Sequence, residues 1–106
     1  MGTTDLLDRI SALLGDSTRD RAQIEDTLTD GYAEALSLEA EGSRLERRVA
    51  VLSQEIEQGD IVSNARELAE VARRLERNGE DLAELRRLLA ELRRCADDAR
   101  VGSPTR

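Results

Sequence analysis

Arginine supplies the most concentrated chemistry in this chain. Arg44, Arg47 and Arg48 crowd one stretch, and Arg73, Arg74 and Arg77 crowd another. Side by side they would form a basic band suited to an anionic protein partner, a phosphate or single-stranded nucleic acid. Glu46, Glu70 and Glu76 interleave them, and the chain has no set of aromatic rings on which bases would stack. With 23 acidic residues against 16 basic ones and a net charge of −7, duplex nucleic acid is disfavoured as a ligand. The band therefore reads first as a solvated, partly paired face that would contact a protein. Nucleic-acid or anion binding through Arg44, Arg47, Arg48, Arg73 and Arg74 is the alternative.

Glu39, Glu41, Glu80, Asp81 and Glu84 fall near one level of the predicted fold, where converging carboxylates would attract a hard cation. Most of them lie off the apolar face, and the chain contains no His to complete a metal-binding helical bundle. No metal or cofactor is expected. Cys95 is the only cysteine, so no intrachain disulfide forms, and it reads as a small core residue rather than a nucleophile. Without His, Lys or Trp, and with little concavity to gather reacting groups, the sequence points away from an enzyme.

These side chains must be carried by helices. Charged residues make up 37% of the chain and alternate in sign, while Leu recurs at regular spacing. That pattern fits an all-α, coiled-coil-like protein. Helix one is predicted over 5–14, with Leu6, Leu7, Ile10, Leu13 and Leu14 on one face, Thr3 or Thr4 as cap, and Gly15 in the left-handed ending position. Asp16, or a Ser17–Asp20 capping box, starts helix two. From Ile24 through Leu28, Gly31, Ala35, Leu38, Gly42, Leu45, Val49 and Leu52 to Ile56, steps of four and three never fail. Helix two is therefore predicted over 18–58, straight through Gly31 and Gly42, at roughly 60 Å.

Gln58-Gly59-Asp60 is the predicted turn, and helix three the segment 61–100, capped by Asp60, Ser63 or Asn64. Its apolar face reads Ala65, Leu68, Ala72, Leu75, Gly79 and Leu82, then moves to Leu85, Leu89, Leu92, Ala96 and Ala99, one residue short of the four–three rhythm. Folded back at Gly59, facing residues have numbers summing to about 120, so that large side chains oppose small ones. On this reading Leu45 meets Leu75, Leu52 meets Leu68, Val49 meets Ala72, and Gly42 lies level with Gly79. Glu46 is expected beside Arg74 and Arg44 beside Glu76. Residues 1–101 are read as a single helical domain and 102–106 as a flexible tail.

The expected fold is thus a long antiparallel helical hairpin with a short N-terminal helix on its base. Leu36, Leu85, Leu88 and Cys95 form a second apolar stripe at that base, which helix one only partly covers. Tyr32 sits beside it, either as an interface anchor or packed under helix one. Tyr32, Leu36, Leu85 and Leu88, with Arg44, Arg47, Arg48, Arg73 and Arg74, are the candidate contact residues. The expected activity is helix–helix interaction with a protein partner or a second copy, as a homodimer. No apolar run approaches membrane-spanning length, and the N-terminus lacks the basic start and apolar stretch of a signal peptide. A cytoplasmic setting is expected, and the exclusive use of Arg over Lys suggests a GC-rich bacterial source.

Overall fold

A computed structural model describes residues 2–16 and 18–101. They form three α-helices, α1 (Thr3–Leu14), α2 (Arg21–Glu57) and α3 (Val62–Val101), and no strand is found among them. The fold is the expected one: α2 and α3 pair as a helical hairpin, and α1 packs on its base. No helix among the described residues is long and apolar enough to cross a membrane. The expected tail at 102–106 and the Ser17 cap lie outside the described residues.

The helix ends are set by local hydrogen bonds. α1 begins at Thr3 rather than Asp5, and Gly2 caps it without a side chain. Gly15 ends it in right-handed conformation (φ −86°), not the expected left-handed one, and its N–H reaches the Ser11 carbonyl. The Arg19 guanidinium covers the end of α1, donating to the Asp16 carbonyl at 2.6 Å, where the helix dipole favours a cation. α2 starts three residues later than expected because the capping box is Asp20–Gln23. The Gln23 amide donates to Asp20 Oδ1 (2.7 Å), and the Asp20 amide donates back to Gln23 Oε1 (3.1 Å). At the other end, the Asp60 amide reaches the Glu55 carbonyl and the Gly59 amide reaches that of Ile56. This double bond pattern needs a residue at positive φ, and Gly59 supplies it at +105°.

The chain divides into two compact units. One comprises α1, α2 as far as Leu36, and α3 from Ala83 onward; the other is the hairpin Ser37–Leu82. In the first, Leu6 and Ile10 of α1, Ile24 and Leu28 of α2, and Leu85, Leu88, Leu89 and Leu92 of α3 are buried. Gly31 is buried too, because Leu89 lies directly over it. In the second, Leu45, Leu52 and Val71 form the core, with Val49, Leu68 and Leu75 packed against them.

That second core corrects the expected seam. The inward positions of α3 in this unit are Asn64, Leu68, Val71, Leu75 and Asn78, all buried or half-buried, whereas Ala65, Ala72 and Gly79 are exposed. Val71, not Ala72, therefore joins Val49 in the core, and Asn78, not Gly79, stands against Gly42. Taken with Leu82, Leu85, Leu89 and Leu92, these positions keep steps of four and three throughout α3. The expected lost residue does not exist. The polar seam positions are satisfied: Asn64 Nδ2 donates to the Asp60 carbonyl and Asn78 Nδ2 to the Leu38 carbonyl, each at 3.0 Å. Facing residues still sum to about 120, as Gly31 with Leu89 and Gly42 with Asn78 demonstrate.

Candidate interaction surface

The apolar candidates of the first unit separate into core and surface. Leu85 is fully buried and Leu88 nearly so, which removes both from any contact surface and places them among the residues that hold the unit together. Tyr32 and Leu36 lie one helical turn apart on α2 and are exposed, at 44% and 67%. Neighbours four apart on a helix share a face. The stripe expected from Leu36 to Cys95 is therefore divided: its α3 members Leu85 and Leu88 turn inward, Cys95 is half-buried, and Leu36 faces outward.

α1 is fixed by polar contacts as well as by Leu6 and Ile10. Arg9 pairs with Asp30 at 2.6 Å and also donates to the Thr27 hydroxyl at 3.4 Å. The Thr3 hydroxyl donates to the Glu34 carboxylate. These partners stand on the α2 positions adjacent to Tyr32 and Leu36 but on the side that receives α1, so the exposed pair is left uncovered by it. Asp16 accepts from the hydroxyl and then the amide of Thr18 (2.7 and 2.8 Å), and both bonds hold its carboxyl below the usual aspartate range.

In the second unit three of the candidate arginines are engaged by carboxylates. Arg48 pairs across the hairpin with Glu67 at 2.7 Å, and Arg74 pairs with Glu41 at 3.3 Å. Arg44 shares the same Glu41 from within α2, at 2.7 Å. Arg74 and Arg44 thus meet Glu41 rather than Glu46 and Glu76. Arg47 and Arg73 are exposed, have no ion-pair partner among the described residues, and occupy outermost positions of their own helices, pointing away from the seam. Three of the five arginines thus meet two carboxylates, which offsets part of the local positive charge.

Beside these pairs runs a shallow groove of about 210 Å³ lined by Leu38, Glu41, Arg74, Asn78 and Asp81. Charges of both signs line it, and Arg74 and Glu41 pair with each other there. Among the described residues no group of three or more metal-ligating side chains converges. The tip carries two more exposed large apolar side chains, Ile61 at 55% and Val62 at 88%, beside Glu57 and Asp60. Sequence inspection did not single out this pair, although two β-branched residues immediately after a turn glycine are visible there. Asn64 and Asn78 were likewise missed as seam positions; continuing the steps of four and three backward from Leu85 locates both. No protein family, characterised protein or solved structure matches the chain.

Proposed function

We propose that the chain is a non-enzymatic protein–protein interaction module that acts through helix–helix contacts in the cytoplasm and does so as a homodimer. The observation that carries this reading is the exposed pair Tyr32 and Leu36 on one face of α2. A single exposed leucine is ordinary on a protein surface. The sole aromatic residue of the chain, joined by a leucine one turn away, is the composition of an interface anchor, because Tyr brings a large contact area at low entropic cost. The ion pairs Arg9–Asp30 and Arg48–Glu67 occupy other faces and supply solubility instead.

The test is solution mass by light scattering over a concentration series, run on the parent chain and on Tyr32→Ser/Leu36→Ser. A dimer in the parent that dissociates in the double variant supports the reading. A parent that stays monomeric into the high micromolar range, or a dimer that the two serines leave intact, removes this face from consideration.

A further inference from the structure

Helix α3 carries two seams in the unit Ser37–Leu82. Both use Leu68, Leu75 and Leu82. The seam in use completes the pattern with Asn64, Val71 and Asn78, while the residues immediately following, Ala65, Ala72 and Gly79, complete a second one and are exposed. A rotation of α3 about its own axis by about 50°, half the step between successive residues, exchanges the two sets. Ala and Gly cost little to leave in water and little to accommodate inside, so apolar burial alone discriminates weakly between these packings. Val71 against Ala72 is its main contribution.

A more specific discrimination lies at one level of the arm. Asn78 Nδ2 donates to the Leu38 carbonyl at 3.0 Å, across the hairpin, and its Oδ1 occupies space that is open only because residue 42 has no side chain. A methyl carbon there would stand 2.9 Å from that oxygen. Gly79, by contrast, has nothing within 4 Å of the position a side chain would take. Only one rotational setting of α3 lets the amide enter the Gly42 notch and find its acceptor. In the other, Gly79 faces Gly42 and the amide returns to water. We propose that the Asn78–Gly42 contact is a register lock, selecting one of two rotational packings available to α3 against α2 in this unit. A polar side chain at a seam position is a known means of choosing one alignment among several of similar apolar burial.

Cysteine cross-linking in the 106-residue chain, with Cys95→Ser to remove the native thiol, reads the two packings directly. Val49→Cys with Ala72→Cys reports the alternative setting, in which residue 72 turns toward α2 and the pair comes within disulfide range. The proposal expects slow cross-linking in the otherwise native chain. It expects a rise of about fivefold in Asn78→Ala, the equilibrium effect of losing one net hydrogen bond. Gly42→Ala, which blocks the notch while strengthening the helix, is expected to raise it in the same direction. Far-UV circular dichroism checks that helicity is retained; should Asn78→Ala lose it, Gly42→Ala decides alone. A rate unchanged in the folded variants overturns the proposal. So does an equal rise in a control pair, Val49→Cys with Arg73→Cys, because a merely loosened arm speeds both.

Discussion

Leu89 occupies the space into which a side chain on Gly31 would project. Glycine in mid-helix normally weakens the helix, yet here the missing side chain lets α2 and α3 approach closely enough for Leu89 to be buried. Gly31→Ala gains about 1 kcal/mol of helix propensity but overpacks the contact, at a cost of about 1–3 kcal/mol. The leucine is itself buried, so it yields only by displacing its neighbours. Urea unfolding is expected to show a net loss of stability.

The same substitution at Gly79 is expected to have the opposite sign. That position is exposed, interior to α3, and open around the site of a new methyl group. Gly79→Ala should raise stability by about 0.5–1 kcal/mol through backbone entropy alone, with an unchanged denaturant slope. A destabilised Gly79→Ala would mean that another surface approaches this face.

Leucine positions divide by the same logic. Leu52 is fully buried in the core of the Ser37–Leu82 unit, and Leu52→Ala should cost about 2–5 kcal/mol. Leu36→Ala, at an exposed site, should stay within about 0.5 kcal/mol. Measured at low micromolar concentration, where a dimer contributes least, the contrast separates folding from association.

Acid should destabilise the protein. The Thr18 hydroxyl and amide hold the Asp16 carboxyl below its usual value, and the Arg87 hydrogen bond does the same for Glu84. A carboxylate depressed in the folded state stabilises fully above its unfolded pKa, and that contribution is lost as pH falls through the folded value. The expected loss therefore falls below about pH 4. Thermal unfolding between pH 6 and pH 2.5 should show a smaller acid drop in Asp16→Asn/Glu84→Gln than in the parent. Both groups are exposed, so the difference between the two profiles is expected to be modest.

Much of the fold was legible because α2 obeys one rhythm from Ile24 to Ile56, and because Gly59 fixes where the chain reverses. Those two features determine which residues face each other. The error in α3 came from preferring apolar residues at every seam position. Asn64 and Asn78 are polar, and each is followed by a small residue, so Ala65 and Gly79 attracted the assignment and pulled Ala72 in after them. An asparagine is admitted to a seam when its amide finds a carbonyl, and that condition depends on backbone geometry across the hairpin. The candidate surface was only partly readable for a similar reason. Leu36, Leu85 and Leu88 are chemically alike, and only the packing around them divides core from surface. The ion pairs of the arginines were not legible either: Glu41 accepts two of them and Glu67 a third, partners that depend on side-chain placement across the hairpin.

The Gly59 turn also sets an order of events. Residues facing each other close to it are near neighbours in the chain, and their separation grows steadily with each heptad toward Ser37 and Leu82. The entropic cost of closing the first contacts is therefore small, and each later pair closes onto a scaffold already formed. The arm should zip from Gly59 outward. Gly59→Ala, which forces alanine into left-handed backbone at a cost of about 1–2 kcal/mol, should then slow refolding with little change in the unfolding rate. Truncations far from the turn, such as Leu38→Ala, should do the reverse and speed unfolding. Stopped-flow chevrons of the two variants make the comparison.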